Sequence, residues 1–89
     1  MTYRIRYSTR ARRMLSDQLP ESVAAACIEF IGGPLAANPH RLGKPMRGPE
    51  AAGMWTARRG AFRILYRIED DQLVILVLTI DHRRDVYRR

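Results

Sequence analysis

A single cysteine, Cys27, leaves no partner for an internal disulfide and excludes both a Cys-based zinc framework and a dithiol redox pair. It reads as a small buried apolar residue. No His or Cys cluster has metal-ligand spacing, no glycine-rich phosphate loop precedes a helix, and no trio of carboxylates suits Mg²⁺. Any chemistry is therefore expected to proceed without metal or cofactor. No apolar run reaches the roughly 18 residues of a membrane span, and Met1 to Tyr7 interleaves Arg4 and Arg6 with apolar residues where a signal segment would be continuous. The expected address is the cytoplasm, with no membrane partner. Lysine and acid are both scarce: nine Asp and Glu face sixteen Lys and Arg, for a net charge of +7, and Lys44 is the one lysine.

Nearly all the positive charge is thus guanidinium, a planar donor fork that matches phosphate and a flat face that stacks on bases. Such a balance points to a polyanion, and to nucleic acid in particular. Codon bias of a GC-rich genome is the other source of an arginine excess, so placement has to decide between the two. With 46% hydrophobic residues the chain can pack a core. A chain of 89 residues buries only about 60% of its unfolded surface, and residues 1–89 are expected to form one domain.

Tyr3-Arg4-Ile5-Arg6-Tyr7 alternates with period two, as a strand with one face on a core does. Ser8 or Thr9 can cap a helix over Arg10 to Leu19, where Ala11, Met14, Leu15 and Leu19 share a side, and Pro20 opens a second helix striped by Val23, Cys27, Phe30 and Ile31. Gly32-Gly33-Pro34 should end or distort that helix, with Leu35 to Ala37 able to prolong a last turn. The breaker-rich stretch Asn38 to Gly53 reads as a surface loop. Strands follow at Met54 to Arg58, Phe62 to Ile68 and Leu73 to Ile80, joined by turns at Arg59-Gly60-Ala61 and Glu69 to Gln72. The last strand is apolar on both sides, as a central strand is. The order predicts an α+β domain, β-α-α-β-β-β, with two N-terminal helices on one face of a mainly antiparallel sheet.

Alternation along Phe62 to Ile68 sends Phe62, Ile64, Tyr66 and Ile68 toward the helices and Arg63, Leu65 and Arg67 to the other face. Arg63 and Arg67 read either as a solvated strand face or as phosphate ligands. The run Asp81 to Arg89 holds four arginines, His82 and Tyr87, suited to phosphate and base contacts. His82 can move protons near neutral pH, although a lone histidine is more often structural. His40 carries the same structural reading. Glu50 is the one loop carboxylate considered for proton transfer, with solvated surface as its plainer role, and Tyr3, Tyr7 and Trp55 read as core or rim packing.

Three motifs, Arg-Leu-Gly-Lys-Pro-Met-Arg-Gly (41–48), Ala-Arg-Arg-Gly-Ala-Phe-Arg-Ile-Leu-Tyr-Arg-Ile (57–68) and Asp-His-Arg-Arg-Asp-Val-Tyr (81–87), stand in this order. Together they make the chain resemble the RelE toxins of the RelE/ParE superfamily, nearest the mycobacterial and actinobacterial branch, from the first strand to Tyr87. The resemblance implies a type II toxin–antitoxin toxin that cuts mRNA in the ribosomal A site by 2′-hydroxyl attack. It implies a RelB-type acidic antitoxin as inhibitor, and operator DNA only through that complex. It also implies that the phosphate-binding arginine is Arg63, the proton donor to the leaving group Arg83, and the base-stacking tyrosine Tyr87. Lys44, Arg47, Arg58, Arg67, His82 and Arg84 are the accompanying RNA-binding candidates. The family's paired lysines fall near Met54 and Thr56, neither of which can act as a base, so the acceptor of the 2′-hydroxyl proton stays open. A ParE-type gyrase poison and a nuclease-dead binding module of the same fold are the alternatives.

Overall fold

In the computed structural model, which describes residues 2–82, the chain opens with β1 (Arg4–Tyr7) and α1 (Thr9–Arg13), which runs on through a wider π-helical turn, Met14–Gln18. Next come α2 (Glu21–Phe30), prolonged in the same way by Ile31–Leu35, and α3 (Pro39–Leu42). The remaining strands are β2 (Lys44–Pro45), β3 (Trp55–Arg59), β4 (Phe62–Glu69) and β5 (Val74–His82). They form one sheet in the order β1-β5-β4-β3-β2, with β1 parallel to β5 and the other pairs antiparallel. Ala11, Cys27, Ile31 and Leu35 from the helical segments bury against Ala57, Ile64, Tyr66, Ile75, Val77 and Ile80 of the sheet. The chain is therefore α+β, with its two main helices on one face of a mainly antiparallel sheet.

Local chemistry fixes the helix ends. The Ser8 hydroxyl accepts the Ala11 N–H at 3.0 Å and donates to the Leu78 carbonyl at 2.6 Å, so one side chain caps α1 and pins it to β5. Pro34 has no N–H to give and would clash with a carbonyl four residues back. The helix widens there, and the Ala36 N–H reaches back to the Ile31 carbonyl. Gly32-Gly33-Pro34 thus distorts the helix without ending it.

Two sequence expectations need correction. Asn38 to Gly53 is not a bare loop: it holds α3, β2 and a short 3₁₀ turn at Pro49–Ala51, so the sheet has one strand more than expected. Pro39 is the cause, since proline suits a helix's first turn; its ring is buried and its carbonyl accepts the Tyr66 hydroxyl at 2.7 Å. Likewise, the last strand does not stop at Ile80. Asp81 and His82 stay in β5 because they pair with Arg63 and Phe62.

The expected alternation on β4 holds. Ile64 and Tyr66 are fully buried, and Phe62 and Ile68 pack half-buried against the same cluster. On β5 the alternation is interrupted, because Leu65 pairs with Thr79 while Tyr66 pairs with Val77, which leaves Leu78 as an extra residue. A bulge of this kind reverses side-chain parity. Ile75 and Val77 face the core before it, Ile80 faces the core after it, and Asp81 is turned onto the opposite face beside Arg63.

At the other end of the sheet, Asp70 in the β4–β5 turn accepts the Tyr3 hydroxyl at 2.5 Å, and His40 Nε2 lies 3.1 Å from its second oxygen. His40 also stands edge-on to Trp55 at 5.3 Å. The Tyr3 hydrogen bond, reinforced by His40, holds the Asp70 carboxyl below its usual value. A carboxylate lowered in the folded state contributes stability above its unfolded value of about 3.9 and loses that contribution as pH falls through the folded value. Asp70→Asn is therefore expected to lower Tm between pH 5 and 7 and to match the wild type once both are taken below the carboxylate range. Melting curves that stay a constant interval apart down to strong acid would refute the linkage.

Candidate functional site

Gly60, at φ 60°, lets Gly60-Ala61 close a two-residue hairpin between β3 and β4. That turn sets the register, and the register places Arg58 directly across from Arg63. On the other side of β4, Arg63 pairs with Asp81. One step along, Thr56 pairs with Lys44 of β2 and with Leu65 of β4. Lys44, Thr56, Arg58 and Arg63 thus share the sheet face turned from the helices. With Leu42 and Ala57 they line an open depression of about 430 Å³.

Like charges directly across a strand pair repel and destabilise the sheet. Among the described residues, Asp81 is the one carboxylate that answers this cluster, its Oδ2 3.7 Å from Arg63 Nη2. Both side chains are about two-fifths exposed, at 41% and 37%, so such a pair contributes only about 0–1 kcal/mol. Three cations against one carboxylate leave the depression ready for an anion, and a phosphate could take charge-assisted bonds from both guanidinium groups. The Thr56 hydroxyl oxygen is buried there without a hydrogen-bond partner. Asp81→Asn is expected to change stability by less than about 1 kcal/mol while raising affinity for a short single-stranded RNA at low salt. Weaker binding in an anisotropy titration would mean that Asp81 orients Arg63 for the ligand.

The structure brings together Lys44, Arg58 and Arg63. Arg67 is on the same face, but its guanidinium lies over Gly53, with Nη1 2.9 Å from where a Cβ would stand, and Gly53 itself has φ 77°. Arg47 is exposed in the stretch after β2 and does not line the depression. His82 closes β5, its backbone paired with Phe62. Arg83, Arg84 and Tyr87 lie outside the described residues. Glu50 is exposed in its 3₁₀ turn, and Cys27 is buried, its thiol pushed up by burial and only partly offset by Arg59. Sequence reasoning missed Asp81 and Thr56. Thr56 was legible as an alternating position on β3, whereas simple alternation along β5 would have pointed Asp81 into the core.

A family model described as the ParE toxin of the type II toxin–antitoxin system parDE matches residues 5–87. Among curated proteins, Toxin RelG of Mycobacterium tuberculosis is 48% identical over 89 residues, covering 100% of both chains. Toxin RelE of the same organism is 44% identical over 86 residues, covering 97% of this chain and 87% of its own. Among solved structures, the toxin–antitoxin complex RelBE2 from M. tuberculosis superposes with a TM-score of 0.86 at 44% identity, covering 93% of this chain and 100% of that one.

Proposed function

Because this chain belongs to the RelE/ParE superfamily of type II toxin–antitoxin toxins, we propose that it is a ribosome-dependent mRNA endoribonuclease that blocks translation. The observation that carries this reading is the convergence of Arg58, Arg63 and Lys44 on one open depression. In the proposed reaction the RNA's own 2′-oxygen attacks the adjacent phosphorus, the bond to the 5′-oxygen breaks, and a cyclic phosphate remains. No metal is called for, since the nucleophile is intramolecular and the protein has only to orient the strand, move protons and neutralise charge. Arg63 binds the scissile phosphate and stabilises the charge that grows on it. Arg83 protonates the departing 5′-oxygen, and Tyr87 stacks on a base.

Lys44, Arg47, Arg58, Arg67, His82 and Arg84 hold the strand along the basic face. Lys44 stands across from Thr56, so its charge enters from β2 the region where relatives of this fold carry lysines on the preceding strand. A RelB-type antitoxin with an acidic tail covers this face and holds the protein inactive; the RelBE2 relative was solved as a toxin–antitoxin complex. Operator DNA is contacted only through that complex.

A gyrase poison that cleaves nothing is the second reading, favoured by the ParE description of the matching family model. Induction followed by mapping of mRNA 5′ ends on translating ribosomes separates the two. Codon-phased cuts are expected. Chromosomal breaks with intact messages would transfer the protein to the gyrase class.

A further inference from the structure

A second basic depression lies on α1. Arg10 and Arg13, one turn apart and both exposed, line it with Thr9, Met14 and Gln18, and it measures about 520 Å³. Among the described residues the ion pairs are His40–Asp70 and Arg63–Asp81, so neither of these arginines is neutralised by a carboxylate. Two guanidinium groups on one depression, without a carboxylate partner among the described residues, make a surface suited to an external anion.

Its position relative to the first depression is set by register. β1 covers β5 only as far as Val77, and beyond that point α1 takes over as the flank, with the Thr79 hydroxyl donating to Met14 Sδ at 3.2 Å. Met14 lines the α1 depression. From Thr79 the register runs to Leu65, Thr56 and Lys44, three strand spacings of about 4.8 Å, or roughly 14 Å in all. Met14 of the α1 depression thus meets β5 at Thr79, in the same cross-strand row that ends on Lys44 of the first depression.

We propose that the Arg10/Arg13 depression is a second RNA-backbone site, which takes phosphodiester groups remote from the bond cut at Arg63. The proposal rests on the ribonuclease reading. Its ligand chemistry, RNA phosphate, can come from the message or from ribosomal RNA. The test uses the full chain as wild type, Arg10→Ala/Arg13→Ala and Arg10→Lys/Arg13→Lys, with circular dichroism to confirm folding. A short single-stranded RNA is titrated across a salt series, and cleavage is followed on programmed ribosomes.

If the message supplies the phosphates, the alanine pair weakens oligonucleotide binding and flattens the salt dependence by about 1.4 in log–log slope, about 0.7 per lost contact. It also raises KM for ribosomal cleavage with kcat nearly kept. If ribosomal RNA supplies them, oligonucleotide binding is unchanged and only KM rises. The lysine pair restores most of either effect. Unchanged oligonucleotide binding together with unchanged KM overturns the proposal. A wild type that binds RNA through Arg10 and Arg13 yet never cleaves on ribosomes would refute the ribonuclease reading and leave this site standing.

Discussion

Arg63→Ala is expected to slow mRNA cleavage on programmed ribosomes by about 10²- to 10³-fold, the usual cost of removing one preorganised donor from a developing oxyanion. The loss should fall on kcat, because in the proposed reaction this guanidinium acts on charge that appears in the transition state. Stability should barely move, since Arg63 is two-fifths exposed and its Asp81 partner is 3.7 Å away, a geometry worth about 1 kcal/mol at most. Arg63→Lys should recover only part of the rate, as it keeps the charge and loses the fork that grips two phosphate oxygens. Single-turnover rates for the three proteins, beside their thermal melts, make the comparison. An alanine variant that cuts at the wild-type rate would remove Arg63 from the reaction.

Gly43→Ala is expected to destabilise the protein by about 2–4 kcal/mol, the sum of overpacking a tight core and leaving a buried polar group unmet. Gly43 has extended backbone angles, φ −111° and ψ −179°, that any residue can adopt. Its smallness matters because the Tyr66 hydroxyl occupies the place of a Cβ, with the Thr56 carbonyl 3.0 Å away. Tyr66 is fully buried, burial pushes its phenol up to about 12, and the neutral hydroxyl donates to the Pro39 carbonyl. A methyl at residue 43 must displace that phenol and break the bond. For a domain of this size Tm should fall by about 10–25 °C.

The double-mutant cycle with Tyr66→Phe gives the decisive reading. Phenylalanine removes the oxygen that the methyl would strike, so Gly43→Ala should cost clearly less in that background. Equal costs in the two backgrounds would place the strain elsewhere. Because Gly43 leads directly into Lys44, the same variant also tests whether β2 must be held in register for the depression to bind RNA.

What the sequence discloses and what it hides follow a physical divide. Features set by neighbours along the chain are legible: the period-two pattern of β4, the Ser8 cap, burial of Cys27, and the trouble caused by Pro34. Features set by contacts distant in sequence are not. β2 is two residues long, too short for any periodicity, and exists because Lys44 and Pro45 find partners in β3. α3 rests on a buried proline and on a tyrosine 27 residues away. Lys44 could be named as a basic candidate, but its meeting with Arg58 and Arg63 depends on pairings across three strands. The basic face was readable from Arg63 and the Gly60 turn, whereas the carboxylate that tempers it was hidden behind the bulge.

That bulge makes the charge of the open face a matter of residue counting. Were the strand to run flat with all its residues kept, so that Leu78 alternated like its neighbours, the inner and outer sets of everything that follows on β5 would be exchanged. An acid would be driven under the helices and an isoleucine set beside the arginine, without a single functional side chain being altered. Deleting Leu78 would be the gentle change at this point, since Val77 and Ile80 would then alternate regularly and keep their partners on β4. Asp81 keeps its place beside Arg63 as long as that extra position is either bulged out or absent.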